Sequence, residues 1–180
     1  MTDLRTWLST EAAELEQRLR RQVLDLVPFE RRDEQPGGGN SVTWGLFHVA
    51  THVDLALAVL GTPRAEGPAD DRRAWGGLEE AEAPWSSDLD PAGVEVHLLA
   101  SVEATRAWLA TSPLELLDGV PDAGAALLGA GVDPDRFAWL FAQWSQQAGS
   151  FFVRWPLLGH VGNHIGELVA VRNRLGLSPF

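Results

Sequence analysis

Hydrophobic residues recur every three or four positions over most of the chain, which is the spacing of one face of an α-helix. The first such stretch extends from Leu4 to Leu26, and strong helix formers separate its apolar positions. The residues on this stripe are Leu4, Leu8, Ala12, Leu15, Leu19, Val23 and Leu26. The pattern predicts a first helix that ends near the sequence VPFERRDEQPGGG.

The second helix is predicted from the signals at its two ends. Asn40 and Ser41 can cap its N-terminus, and the Gly-Thr-Pro sequence that begins at Gly61 ends it, so it extends to about Leu60. The residues that follow, up to Asp90, are rich in proline, glycine and acid. They predict a long connection that acts as a lid or a crossover.

The third helix opens at Asp90-Pro91, a cap followed by proline in the first turn, and extends to about Thr111. Its apolar stripe consists of Val94, Leu98, Val102, Thr105 and Leu109. Residues 112–133 contain many glycines and prolines, so we expect an irregular segment with one or two short turns of helix.

Two helical segments complete the chain, and no segment alternates in the manner of a strand. Asp133-Pro134 opens the first of them, and the last helix is predicted to begin near Pro156 and to end at Gly176. The sequence therefore predicts one all-α domain over residues 1–180. We expect a four-helix bundle with a long connection between the second and third helices and an extra helical segment before the last helix.

Composition limits the possible functions of this domain. The chain has 180 residues, no cysteine and a formal net charge of −11, which excludes disulfides and thiolate ligands and disfavours binding to nucleic acid. Its apolar runs are interrupted and its first residues, MTDLRTWL, differ from a secretory signal, so we expect a cytoplasmic protein without a membrane span. All 14 basic residues are arginine, which is typical of a GC-rich genome.

Two pairs of histidines carry the candidate chemistry. His160 and His164 are four residues apart, and so are His48 and His52, a spacing that places both rings of a pair on one helix face. In the last helix this face also carries Leu157, Val161, Leu168, Val171 and Leu175. A buried imidazole without a partner costs about 1–3 kcal/mol, and a metal ion is a partner that two rings can share.

His48 lies at the centre of a matching stripe formed with Trp44, Leu55 and Val59. One histidine from the second helix and two from the last, His160 and His164, predict a three-histidine site. Such a site leaves a position for water or substrate, as in catalytic zinc sites, and its three neutral ligands leave the full charge on the ion. The alternative is that these histidines are core residues with ordinary hydrogen-bond partners.

Several other residues have more than one possible role. His52 lies at the edge of its stripe as a ligand or a supporting group, and His97 is expected at a pocket wall or at the surface. Glu167 either orients an imidazole or acts as a base, or it is an exposed or capping residue. Trp75 and Trp85, in the long connection, belong to the core or cover a pocket.

Several metal and phosphate motifs are absent. HVGNH has the histidine spacing of a zinc protease but lacks its glutamate, and no Glu-x-x-His pair indicates a di-iron bundle. The triple glycine lacks the Lys-Ser/Thr of a phosphate-binding loop.

Two motifs together resemble the DinB/YfiT-like superfamily of metalloenzymes. NSVTWGLFHVATHVDLA is similar to the second-helix pattern of that family, with Trp44, His48 and Asp54, and LLGHVGNHIGEL is similar to its last-helix His-x-x-x-His. The chain departs from the usual motif beside the last ligand, where it has Ile165 and Gly166 instead of a basic or histidine-rich position.

The resemblance implies a four-helix bundle of this type, a divalent metal ion such as zinc or nickel held by His48, His160 and His164, a small-molecule substrate and a homodimer. It also implies a metal-dependent enzyme, and with this composition a transferase that uses a low-molecular-weight thiol of the mycothiol type. The alternatives are a hydrolase that uses metal-activated water and a non-catalytic metal-binding or dimerisation module.

Overall fold

The computed structural model describes residues 3–62 and 88–180, and these residues form helices and no strand. The long helices are α1 (Leu4–Leu19), α2 (Val42–Val59) and α3 (Pro91–Thr111). Two shorter helices follow, α4 (Ala123–Gly129) and α5 (Ala138–Trp144). The C-terminal helical segment consists of α6 (Gly149–Phe152), a π-helix (Val153–Gly159) and α7 (His160–Arg174). The predicted all-α class is confirmed for the described residues.

Helix α2 is the central element of the fold. Every residue of α2 except Ala58 is buried, because α3, the C-terminal helical segment and α4 all pack around it. A Cβ atom on Gly45 would lie 2.8 Å from Cδ2 of Leu168, so the absence of a side chain there lets α7 pack directly on the backbone of α2. This close approach positions the histidines of the two helices opposite each other.

Residues that the sequence indicated as helix ends cap or terminate these helices as expected. The Ser41 side chain accepts a hydrogen bond from the Trp44 amide, and the Asp90 carboxylate accepts from the amides of Ala92 and Gly93. Gly176 follows α7 with φ +75°, a left-handed conformation that favours glycine. Each of these contacts satisfies backbone groups that a helix terminus leaves unpaired.

One predicted boundary was wrong, and the first helix ends near the predicted place but differs in its helix type. The first helix is α-helical only to Leu19 and continues as a π-helix over Arg20–Leu24. The last helical segment begins at Gly149 and not near Pro156, which lies inside the π-helix. Proline lacks the amide hydrogen and its ring clashes with the carbonyl four residues back, and the wider π turn accommodates both.

The four long helical segments pack against one another, and a long connection joins two of them. Helix α2 ends at Val59 and α3 begins at Pro91. Residues 63–87 of this connection lie outside the described residues, and the expectations for a lid, for Trp75 and for Trp85 lie there too. The DinB/YfiT-like arrangement of the bundle stays a prediction.

Helix α2 also has the length and apolar composition of a membrane-spanning helix. Its 18 residues have a mean hydropathy of 1.3, and 94% of them are buried inside the protein. Burial of this extent is typical of the core helix of a helical domain.

Candidate metal centre

Helix α2 and the C-terminal helical segment bring four histidines together. The ring centroids of His48 and His52 are 4.5 Å apart, and those of His160 and His164 are 4.3 Å apart. Between the helices, His48 lies 4.7 Å from His164 and His52 lies 4.6 Å from His160. Both histidine pairs noted in the sequence therefore face each other across one helix interface.

The three predicted metal ligands form the tightest part of this group. One ring nitrogen from each of His48, His160 and His164 lies within 4.8 Å of the other two. The prediction that these three side chains meet is confirmed. His48 is 6% exposed, whereas His160 and His164 are half-buried at the edge of the interface.

The nitrogens of His160 and His164 point at each other. Their Nε2 atoms are 3.0 Å apart, so either one of them carries a proton and donates it to the other, or both bind one cation. The buried Nδ1 atom of His160 has no hydrogen-bond partner among the residues that the structure describes. Two imidazoles bound to one zinc ion at about 2.0–2.1 Å have nitrogens about 3.4 Å apart, so a small outward movement would fit the pair to a metal.

Glu167 determines the tautomer of His164. The His164 Nδ1 atom donates a hydrogen bond of 2.7 Å to Oε2 of Glu167, one turn further along α7. An ionised carboxylate accepts hydrogen bonds only, so Nδ1 carries the proton and Nε2 keeps its lone pair for the centre of the cluster. Glu167 is thus both exposed, at 58% of its side chain, and the orienting group that the sequence left as one alternative.

Burial keeps His160 neutral. Removal from solvent, together with the neighbouring His52 and His164, lowers the pKa of the His160 imidazole from 6.5 to about 2. A neutral imidazole is the form that binds a metal ion. Burial thus disfavours a proton beyond the neutral form on His160.

Tryptophan side chains surround the four histidines. The Trp44 ring is stacked on His48 with centroids 4.9 Å apart and an interplanar angle of 16°. Trp155 meets His160 edge-on at 5.9 Å, and Trp144 meets His52 at 6.4 Å. These rigid rings restrict the orientations of the imidazoles.

The fifth histidine lies elsewhere, and of its two expected positions, a pocket wall or the surface, the surface position was wrong. His97 is buried, and its Nε2 atom donates to Oδ2 of Asp54 at 2.6 Å. The Ser101 hydroxyl donates to Oδ1 of the same carboxylate, also at 2.6 Å. Asp54 on α2 requires these donors because an unpaired buried carboxylate is costly, and α3 supplies both.

A cavity of about 270 Å³ opens on the outer side of His164. Asn40, Glu167 and Arg174 line it together with apolar residues of α7. This cavity borders the histidine cluster at His164.

The chain was compared with protein-family models, with curated proteins and with solved structures. None of the three finds a match. The resemblance to the DinB/YfiT-like superfamily therefore rests on the motif residues and stays a prediction.

The donor set itself limits the choice of metal. Imidazole nitrogens suit zinc, nickel, copper and iron, whereas magnesium and calcium prefer oxygen. Among the described residues, the group that could hold an ion consists of three imidazoles, and such a neutral set fits a divalent cation of the first group.

Proposed function

We propose that this chain is a divalent-metal-dependent enzyme of the DinB/YfiT-like type and that it transfers a low-molecular-weight thiol of the mycothiol type. The observation that carries the proposal is the convergence of His48, His160 and His164, with Nε2 atoms of the last two only 3.0 Å apart. The thiol and its electrophilic acceptor are inferred from the resemblance and from the chemistry of the donor set.

In this proposal, different residues would bind the metal ion, orient a ligand and contact the substrate. His48, His160 and His164 would hold the ion, and Glu167 keeps His164 in the tautomer that can bind it. A divalent cation that keeps its full charge would lower the pKa of a thiol bound to it and so supply a nucleophile at neutral pH. The thiol proton would pass to solvent, and Asn40 and Arg174 would contact the rest of the substrate in the neighbouring cavity.

Metal analysis tests the first half of the proposal. Tag-free wild-type protein reconstituted with zinc or nickel should contain about one equivalent of metal by inductively coupled plasma mass spectrometry, and His48→Ala and His164→Ala should contain none. His97→Gln is the matched control, because it changes a buried histidine outside the cluster and keeps a donor for Asp54. It should bind as much metal as the wild type.

A thermal scan adds a second readout on the same samples. Zinc at one hundred times its dissociation constant should stabilise the wild type and His97→Gln by about 2.7 kcal/mol and leave the two alanine variants unchanged. A wild type that binds no metal under these conditions would overturn the metalloenzyme proposal.

Thiol titrations test the second half. In cobalt-loaded protein, a small thiol should produce a sulfur-to-cobalt charge-transfer band that is absent from His164→Ala. Turnover of an electrophile should then depend on both metal and thiol. Metal-dependent ester hydrolysis without thiol would favour the hydrolase, and bound metal with neither activity would favour the non-catalytic module.

A further inference from the structure

The cavity of about 270 Å³ beside His164 follows α7 away from the histidine cluster. Its lining residues on this helix begin at His164 and end at Arg174, ten residues and about 15 Å further along the axis. A long side chain on a helix leans towards the N-terminus, so the guanidinium of Arg174 lies closer to His164 than this rise alone indicates. The cavity therefore extends from a proposed metal ligand to a cation.

Asn40 lines the end of the cavity that is far from His164. Helices α2 and α7 are antiparallel, because the first histidine of α2, His48, contacts His164 at 4.7 Å and the second contacts the earlier His160 at 4.6 Å. Asn40 precedes His48 by two turns, so it lies opposite the part of α7 that follows His164 by about two turns. The Asn40 amide and the Arg174 guanidinium thus line the same end of the cavity.

Arg174 differs from the other arginines near the end of α7. Arg31 forms an ion pair with Glu34, and Arg172 donates to the side-chain oxygen of Asn173. The exposed side chain of Arg174 makes no hydrogen bond or ion pair with the residues that the structure describes. In a chain with a formal net charge of −11, this cation has kept its hydrogen-bond donors for an anion from outside.

We propose that the substrate of this site carries a carboxylate, which Arg174 and Asn40 bind while the reacting group lies at the metal ion. The inference rests on the proposed function and names a substrate class for it. A guanidinium binds a carboxylate through two parallel hydrogen bonds. The Oδ1 atom of Asn40 is buried without a partner among the described residues, so it can accept from an N–H or O–H beside that carboxylate. Leu168 and Val171 line the cavity and would contact the chain between the two groups.

Glu167 lines the same cavity, and its charge determines where an anion can lie. Its carboxylate accepts from Nδ1 of His164, seven residues and about 10 Å before Arg174 along the helix. The cavity thus has an acid at the end next to the cluster and a cation at the other end. This order of charges favours a substrate whose carboxylate is separated from its reacting group by a chain of several atoms.

Two thiols of equal length test the inference. Cobalt-loaded wild type should bind 6-mercaptohexanoate at least about tenfold more tightly than 6-mercaptohexanol, because a hydrogen-bonded ion pair replaces a neutral contact. The sulfur-to-cobalt charge-transfer band measures both affinities. Arg174→Gln should bind the two thiols equally, and Arg174→Glu should prefer the alcohol. Arg154→Gln is the matched control, since Arg154 is an exposed arginine of the same helical segment outside this cavity, and it should keep the preference of the wild type.

The outcomes separate this inference from the proposed function. Equal affinities in the wild type, or a preference that persists in Arg174→Gln, would overturn the inference, while the charge-transfer bands of both thiols would still support the proposed function. A wild type that binds no metal contradicts the proposed function, and hexanoate then tests the cavity by itself. In the nuclear magnetic resonance spectrum of the protein without added metal, hexanoate should shift the amide signals of Gly45 and Ala170, which line the cavity, but not in Arg174→Gln. The absence of these shifts in the wild type would also overturn the inference.

Discussion

Helix α2 carries buried polar clusters on two of its faces, and the two are built differently. Towards α3, one carboxylate, Asp54, receives hydrogen bonds from His97 and Ser101. Towards the C-terminal helical segment, four imidazoles meet, and the carboxylate of Glu167 at the rim contacts one of them, His164. The first cluster pairs donors with an acceptor inside the protein. The second brings together imidazole bases, three of which lie close enough to one another to hold a metal ion.

Burial of a histidine does not by itself indicate a metal ligand. His97 and His48 are equally buried and lie on neighbouring helices, yet one serves the packing of α2 on α3 and the other faces three more imidazoles. The partner decides the role. Experiments that remove one partner from each cluster should therefore have different consequences for stability and for metal binding.

The largest effect is expected from Asp54→Ala. This change leaves the buried N–H of His97 and the O–H of Ser101 without their acceptor, and each buried donor left unpaired costs about 1–3 kcal/mol. Urea denaturation in the presence of a chelator measures the loss of unfolding free energy. The comparison variant is His164→Ala, which removes a partly exposed ring and should cost much less. Equal losses in the two variants would remove the distinction between the clusters.

A smaller effect is expected from Glu167→Ala, and it concerns the metal. Without the carboxylate the His164 ring loses its fixed tautomer, and loss of such a supporting partner typically weakens metal affinity about 10- to 100-fold. Competition with a chromophoric chelator measures the affinity. Glu167→Gln, whose amide oxygen still accepts from Nδ1, should lie between the alanine variant and the wild type.

Glu103 provides the control for this prediction. It is an exposed glutamate on α3 that contacts Arg106, so Glu103→Ala should leave the affinity unchanged. An affinity of Glu167→Ala within twofold of this control would show that the carboxylate does not support the site.

The smallest effect is a pH dependence of the metal-free protein. The pKa of His160 is about 2 in the folded state against 6.5 for an exposed histidine, so between these values the unfolded chain binds one more proton. Stability is therefore lost as the pH falls below 6.5, by about 1.4 kcal/mol per pH unit from this residue. Above pH 6.5 both states are neutral at His160 and its contribution is constant.

Chelator-treated protein tests this dependence. The unfolding free energy at pH 7 and pH 5.5 should fall more steeply in the wild type than in His160→Phe, which cannot take up the proton. Equal slopes in the two proteins would mean that His160 is protonated in the folded state as easily as in the unfolded one.

Much of the fold was predictable because its signals are local. The apolar period defined the long helices, and Ser41, Asp90 and Gly176 cap or end them where the sequence indicated. The π-helices were not predictable in this way. The side chains of Arg20–Leu24 also suit an α-helix, and Pro156 fits a first turn as well as the interior of a π turn.

In the candidate site, too, contacts within one helix could be predicted from the sequence, whereas contacts between helices could not. Four-residue spacing predicted that His160 and His164 share a helix face. Glu167 follows His164 by three residues, a spacing that allows the observed hydrogen bond between them. The pairing of His97 with Asp54 joins residues 43 positions apart on different helices. An acid in the apolar sequence of α2 signals a buried partner, but only tertiary packing determines which residue that is.

The π-helix before α7 has a consequence for how the site can change. A π turn holds one residue more than an α turn, and each residue turns the helix by about 100°. Deletion of one residue within Val153–Gly159 would remove the extra residue of the π turn and rotate His160 and His164 relative to the preceding turns. The direction in which the side chains of His160 and His164 point thus depends on the number of residues in this segment as much as on their identity. A change of its length would turn both imidazoles away from α2 without the substitution of any histidine.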